Sequence, residues 1–549
     1  MVLVKRERKQ FVIHGLLSVL ISIADILALA ALLWIVQLYI RPDSNRLNNF
    51  LPVWLTNKNS VLPVSLFFLL FSLKNIAGYF ITKAHYSFTG EVAVRISYYN
   101  LAKYQQAAFT EFVNTDSSSF IRRIALQPFE FSQHVLSGLQ QIITQILLIS
   151  FAIIAILIFN AKLFLLLLVI LLPSVIVVFY FIKKKMVTAK RHLQRSNEKS
   201  YQFLLDALKG YVEANIYQRN DFFLRRFIQQ RKEFSYYLFD SLSLQNLPGR
   251  VIEIFAVLGL FILIAIAQWS GNDNSHTLIT IGAFMAAAYK IIPGLVKLIN
   301  LSGQIRGYEF SADELLQTTK LAQSVSGNLP AQNIQSVEIK NINFQFADQP
   351  LILNNFSFRI KSGDFLGISG LSGKGKTTIL NILLGFLKPV SGEILINDLP
   401  VDQETIKQYW PAISYVRQQS FFIYDTVLRN ITLEEGDYDK DRFSFAMNVS
   451  GLDKLVETFP EGLGKVITEN GKNISGGQQQ RIAYARAIYK KADVFLLDEP
   501  FNELDESSST AILEQLGKLA ATGKIIIMIT HDKQNLSFCN KIISLDEQG

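Results

Sequence analysis

Six mostly apolar runs constrain this chain more than any other feature, at about 12–40, 61–84, 136–159, 161–184, 249–269 and 277–300. A helix needs about 20 such residues to cross a bilayer. One run on its own reads equally well as a buried core helix. Six of them, separated by loops of alternating charge bias, read as membrane spans. Composition agrees: of 549 residues, 50% are hydrophobic and only 18% charged, against about 25% charged in an ordinary soluble domain.

Charge sets the orientation. The chain opens Met1-Val2-Leu3-Val4-Lys5-Arg6-Glu7-Arg8-Lys9-Gln10, and the run that follows is too long for a signal-peptide core and lacks a small-residue cleavage pattern. It reads as a retained first helix. The stretches 85–135 and 185–248 are long and polar. The second, with the end of the fourth run, carries Lys183 to Lys185, Lys190-Arg191, Arg195, Arg225-Arg226 and Arg231-Lys232. The connections at 160–162 and 271–276 are short, and the latter holds no Lys or Arg. Both long loops and both termini are therefore expected in the cytoplasm. The same rule explains the net charge of +9 without invoking nucleic acid. Asp25, Lys74, Asn75 and Glu253 lie within the runs. Ionisable groups in hydrocarbon are costly and usually face a bundle interior or a water-filled path, so an Asp25–Lys74 pair or a substrate path is expected alongside simple snorkelling. Pro173 and Pro293 are expected to kink the fourth and sixth helices.

Residues 318–335, rich in Ser, Gln and Asn with Gly327 and Pro330, separate this half from one of globular texture. Val337 to Lys340 and Phe356 to Ile360 alternate as strands do. The single cysteine, Cys539, excludes a disulfide framework or a Cys-rich zinc module. No internal repeat is evident, so one nucleotide-binding unit is expected.

That unit announces itself at Gly370-Leu371-Ser372-Gly373-Lys374-Gly375-Lys376-Thr377-Thr378, which fits the phosphate-loop pattern. An apolar strand, Phe365 to Ile368, leads in, and a helical run from Ile379 leads out. Glycines let backbone N–H groups face phosphates, and the helix N-terminus adds favourable partial charge. Lys376 would supply a point charge to the β- and γ-phosphates, and the Thr377 hydroxyl would ligate Mg²⁺. Farther on, Val494-Phe495-Leu496-Leu497 reads as a buried strand with Asp498 and Glu499 emerging at its C-terminal end, where open α/β sheets place ligands. Asp498 suits a magnesium shell, and Glu499 is placed to act as general base on the attacking water.

The segment Asn473-Ile474-Ser475-Gly476-Gly477-Gln478 lies 498 − 475 = 23 residues before Asp498. It is similar to the signature of the ATP-binding cassette (ABC) exporters, with Ile474 in place of Leu. Further segments carry the resemblance. Tyr415-Val416-Arg417-Gln418 resembles the Q-loop, its Gln418 also a magnesium ligand. Phe346 resembles the aromatic that stacks on adenine, and Ile529-Thr530-His531-Asp532 the H-loop. Glu469-Asn470-Gly471 is similar to the segment that contacts the membrane half, and Leu208 to Asn215 to a cytoplasmic coupling region. Leu504-Asp505 ends a D-loop in which Phe501-Asn502-Glu503 departs from the usual Thr-Ser-Ala, leaving its inter-subunit contacts open.

The resemblance implies a six-span α-helical transmembrane domain over 1–320, followed by an α/β phosphate-loop domain with a helical subdomain over 321–549. It implies an ATPase coupled to transport, with ATP and Mg²⁺ bound. Gly370, Ser372, Gly373, Gly375, Lys376, Thr377 and Thr378 would cradle the phosphates, while Ser475, Gly476, Gly477 and Gln478 would complete the site of a second copy or of a related half-transporter. Cargo would be amphipathic: a lipid-linked oligosaccharide or polysaccharide precursor, or a drug, lipid or peptide. The expected place is the inner (plasma) membrane, among membrane lipids and with the cassette in the cytoplasm. Six fused spans argue against a DNA-repair or mechanical cassette, an intact Glu499 and His531 against an ATP-gated channel, and the fusion itself against an importer.

Overall fold

The computed structural model describes residues 3–40, 60–107, 109–159, 161–269, 274–308, 333–346 and 349–546. They fall into two compact units, Met1–Ala107 with Phe112–Val325, and Ala108–Glu111 with Ser326–Gly549.

The first unit is helical. Its long helices are Lys5–Ile40, Leu62–Gln106, Ser137–Phe159, Ala161–Lys209, Asn220–Trp269 and Asn274–Gly307. At 1.5 Å per residue, the 49- and 50-residue members are roughly 75 Å long, far more than the roughly 30 Å of a hydrocarbon core. Their polar halves therefore extend beyond the membrane, where the basic residues of 185–248 lie. Among the described residues, four helical segments are long and apolar enough to cross a membrane: Lys5–Ala28, Leu62–Gln106, Ser117–Ile154 and Asn220–Ile262. The expected runs 161–184 and 277–300 also lie on helices, but much of both falls outside the described side chains. The membrane domain is thus helical, with four spans in evidence where six were expected. Phe68, Tyr79, Ile254, Val257 and Phe261 are more than half exposed, as lipid-facing side chains should be. The helices continue through Pro173 and Pro293, and also through Pro248. The expected turn at 160–162, the loop at 271–276 and the linker at 318–335 lie wholly or partly outside the described residues.

Two short π-helical stretches, Arg122–Leu126 and Phe131–Leu136, interrupt the helical run that leads into Ser137–Phe159. Each widens the turn locally. The second buries Phe131, Val135 and Leu136 against the core of Phe88, Val92 and Ile96 from the helix Leu62–Gln106.

The second unit is built on a five-stranded parallel sheet of order β11-β3-β10-β9-β6. Its strands are β3 (Phe365–Ser369), β6 (Ile413–Val416), β9 (Val494–Asp498), β10 (Ile525–Ile529) and β11 (Lys541–Ser544). Every residue of β9 and β10 is buried, as a parallel sheet covered on both faces requires. Alternation divides their side chains. Phe365, Phe495, Leu497, Ile526 and Met528 join one core with the helix Gly476–Tyr489. Leu366, Ile368, Leu496, Ile525 and Ile527 join the other with the helix Lys376–Leu383. An antiparallel sheet of order β2-β1-β4-β5 closes over the second core, formed by β1 (Ser336–Phe344), β2 (Leu353–Lys361), β4 (Ser391–Ile396) and β5 (Leu399–Val401). The four strands expected from alternation or apolar runs all form. Because β3, β9 and β10 run parallel, their C-terminal ends meet on one edge, and the loops that leave that edge build the site.

Candidate functional site

The phosphate loop leaves β3 and enters the helix Lys376–Leu383. Gly373 and Gly375 take φ of 84° and 89°, a region that penalises any side chain. The chain curls there and returns the Lys376 ammonium over its own loop, where Nζ donates to the carbonyls of Gly370 at 2.7 Å and Leu371 at 3.2 Å. Lys376 and Thr378 are buried, while Ser372 and Gly373 stay at the surface.

Asp498 ends β9 beside this loop. Its Oδ1 accepts from the Thr377 hydroxyl at 3.4 Å and its Oδ2 from the Tyr415 hydroxyl at 3.4 Å. Burial raises the Asp498 carboxyl above its ordinary range; the Thr377 bond opposes that, and the neighbouring Glu499 reinforces it. The Tyr415 hydroxyl is raised as well, first by burial and then by the Asp498 charge. A hydroxyl and a desolvated carboxylate are hard oxygen donors of the kind Mg²⁺ prefers, with phosphate oxygens and waters filling its shell. Among the described residues no group of three or more His, Cys, Asp or Glu side chains gathers as a metal site. A shell of one carboxylate, one hydroxyl and phosphate is therefore what these residues fit.

Glu499 follows with φ 46°, and its N–H bonds to the Ile529 carbonyl at 3.0 Å across the end of β10. That bond turns its carboxylate out over the sheet edge. Gln418 Nε2 donates to Glu499 Oε2 at 3.0 Å, and so does Asn502 Nδ2 at 3.0 Å. His531 Nδ1 stands 3.8 Å from Oε1. Two loops far from Glu499 in sequence, and Asn502 from its own loop, thus converge on one carboxylate. The structure brings Lys376, Thr377, Asp498, Glu499, Gln418 and His531 to one edge. Sequence reasoning missed Tyr415 and Asn502 as members of the cluster, although both lie inside segments singled out for other reasons.

The remaining expected residues lie apart. The Phe346 ring is 42% exposed and packs edge-on against Phe344 at 5.0 Å, leaving a face open for stacking. Ser475 caps the helix Gly476–Tyr489 in a capping box with Gln478: the Gln478 N–H donates to Ser475 Oγ at 3.3 Å, and the Ser475 N–H to Gln478 Oε1 at 3.0 Å. Among the described residues no hydrogen bond joins Ser475, Gly476, Gly477 or Gln478 to the phosphate loop of the same chain.

The helical unit holds a second polar feature. A cavity of about 310 Å³ opens between the helices Lys5–Ile40, Leu62–Gln106, Ser137–Phe159 and Asn274–Gly307. Ser22, Thr82, His85, Gln140, Gln145 and Lys297 line it, and among the described residues no carboxylate does. His85 and Gln140 are buried, and His85 Nδ1 and Gln140 Oε1 lack a partner among the described residues. The expected Asp25–Lys74 pair forms between the first two long helices. Glu253 faces Arg250 on its own helix at 3.7 Å, with both side chains largely exposed.

Two family models match: the ABC transporter transmembrane region over residues 7–288, and the ABC transporter model over 353–502. A probable ABC transporter ATP-binding/permease protein of Haemophilus influenzae is 28% identical over 356 residues, 63% of this chain and 62% of that protein. An ATP-dependent lipid A-core flippase of Burkholderia orbicola is 27% identical over 363 residues, 65% of this chain and 60% of the relative. The matches therefore span about three fifths of these relatives' length. A solved structure of a bacterial Atm1-family ABC exporter with ATP bound superposes with a TM-score of 0.80 at 19% identity, covering 98% of this chain and 94% of the other; it shares the fold. With one model matching more than half of the sequence and a second matching the segment that holds the phosphate loop, the signature, Asp498 and Glu499, the chain belongs to the ABC transporter family.

Proposed function

We propose that the protein hydrolyses ATP to export or flip an amphipathic substrate across a membrane, working as a dimer. The observation that carries this reading is the convergence of Lys376, Thr377, Asp498, Glu499, Gln418 and His531 on one sheet edge, in a chain that also holds long lipid-exposed helices. Lys376 exchanges its loop carbonyls for the β- and γ-phosphates, within the cradle of Gly370, Ser372, Gly373, Gly375 and Thr378. Phe346 stacks on adenine. Thr377 and Asp498, joined by the Gln418 amide oxygen, would hold a magnesium ion, which would supply positive charge against the phosphates. Glu499 takes the proton of the attacking water, and His531 faces the γ-phosphate beside it.

The dimer reading is supported by the signature. Ser475 is tied to its own helix, and among the described residues no hydrogen bond links it to its own phosphate loop, which leaves Ser475, Gly476, Gly477 and Gln478 available to complete a partner's site. Every catalytic position carries a competent residue, which favours a second copy of the same chain over a related half-transporter. We assign 1–320 as a six-span membrane domain in the inner (plasma) membrane and 321–549 as a cytoplasmic cassette. Among the described residues the cavity offers hydroxyls, amides and Lys297 but no acid, which favours an anionic, hydroxyl-rich headgroup such as that of a lipid-linked sugar precursor.

The test is ATP hydrolysis by the full chain in lipid nanodiscs, wild type against Glu499→Gln. Losing a general base costs about 10²–10⁴-fold in rate. The reading predicts a loss in that range, with ATP still bound. Hydrolysis at the wild-type rate by the variant would overturn the assignment of the base.

A further inference from the structure

We propose that Asn502 is a positioning residue that fixes the rotation of the Glu499 carboxylate. The inference rests on reading Glu499 as the general base. A carboxylate with one donor can still turn about its last side-chain bond. Here Oε2 receives two amide donors from different loops, Gln418 Nε2 and Asn502 Nδ2, each at 3.0 Å. Together with the Glu499 N–H held by the Ile529 carbonyl, they leave one orientation, in which Oε1 faces His531. Preorganisation of this kind is what a reacting carboxylate needs, because misplacement by about 1 Å costs rate steeply.

The D-loop's unusual composition supplies this donor and holds it still. Phe501 is buried, and its ring stacks on Tyr484 of the helix Gly476–Tyr489 at 5.7 Å and 20°. The Tyr484 hydroxyl donates to the Pro500 carbonyl at 3.3 Å. Leu504 packs on the same core, and its N–H closes a turn onto the Phe501 carbonyl at 3.1 Å. Asp505 then caps the next helix, accepting from the Ser508 N–H at 3.0 Å. Both flanks of Asn502 are anchored, so an exposed side chain in a short loop is presented to Glu499 in a defined place. Departure from Thr-Ser-Ala is thereby explained at two positions: the aromatic ring anchors, and the amide donates.

Steady-state hydrolysis by the full chain in nanodiscs tests this with Asn502→Ala, Asn502→Asp and Asn502→Ser beside Glu499→Gln. Loss of one donor to a charged acceptor predicts a fall in kcat of about tenfold for Asn502→Ala, with KM for ATP within about twofold. Asn502→Asp keeps the shape but sets a carboxylate against a carboxylate, and falls further. Asn502→Ser restores part of the rate through its hydroxyl. A purely structural role would tolerate the isosteric Asp best. Wild-type kcat in Asn502→Asp, or a loss confined to KM, overturns the proposal. An active Glu499→Gln would instead overturn the assignment of the base; an inactive one beside normal Asn502 variants would sink this inference alone.

Discussion

Two glycines of the phosphate loop separate backbone conformation from packing. Both hold left-handed φ, 84° at Gly373 and 89° at Gly375. A Cβ at Gly373 would meet nothing within 4 Å. A Cβ at Gly375 would stand 2.7 Å from Ile352 Cγ2 and 3.2 Å from Leu353 Cδ2. Leu353 is buried at the start of β2, and Ile352 is stiff at its branched carbon, so neither yields easily. The conformational cost of Ala, about 1–2 kcal/mol, is common to both, as is the partial offset from a stiffer unfolded chain. Overpacking adds about 2 kcal/mol at Gly375 alone. For a cassette of this size about 1 kcal/mol moves Tm by roughly 3 °C. Gly373→Ala should therefore lower Tm by roughly 3 °C and Gly375→Ala by roughly 9 °C. Thermal melting of the full chain in nanodiscs without added nucleotide reads this directly, since Cβ–phosphate contacts then play no part. Equal depressions for the two variants would refute the steric argument.

Three further outcomes follow from named groups. Burial raises the Asp498 carboxyl, so its ionised form is disfavoured in the fold; the penalty is absent below the ordinary carboxylate range and fully present at pH 7. Asp498→Asn should thus raise Tm more at pH 7 than at pH 4 while abolishing hydrolysis, and a lower Tm at pH 7 would contradict the electrostatic account. Burial pushes the Cys539 thiol up to about 12; because the thiolate is the reactive form, maleimide at pH 8 should label this sole cysteine on the order of 10³-fold more slowly than a free thiol. Labelling at the free-thiol rate would show the site to be open. Lys74→Met strands Asp25 within a span and should cost about 2.5 kcal/mol, most of it recovered in Asp25→Leu/Lys74→Met; melting in detergent checks the cycle, and additive losses would mean that the pair carries no coupling.

What could be read ahead of the structure was local. Phe365 to Ile368 and Val494 to Leu497 are apolar runs that form the strands they suggested, and the residues after each are the phosphate loop and the Asp498–Glu499 pair. Neighbours in sequence sufficed there. Gln418 and His531 are brought to Glu499 only by the order of β10, β9 and β6, which no short window encodes, whereas Asn502 lies three residues away in the same loop. Asn502 was visible as a departure from a pattern, but its use became evident only once its amide was seen against Glu499. Asp25 and Lys74 were legible as a pair because two opposite charges in adjacent apolar runs have few other partners. The polar cavity was not, since His85, Gln140 and Lys297 come from three helices and each looks like a tolerated polar residue in its own run. Membrane edges were not legible either, because helices such as Asn220–Trp269 continue unbroken from polar into apolar sequence, so helix ends do not mark them.

If the protein works as proposed, ATP hydrolysis moves an amphipathic molecule between leaflets. The most direct measurement uses proteoliposomes containing the full chain and a fluorescent lipid-linked sugar phosphate, with a membrane-impermeant quencher reporting the leaflet. The account predicts a change in quenchable fraction that requires ATP and magnesium, is absent in Glu499→Gln, and weakens in Lys297→Ala. Steady hydrolysis by the wild type with no ATP-dependent change in leaflet, for this probe and for neutral and zwitterionic lipids alike, would contradict it.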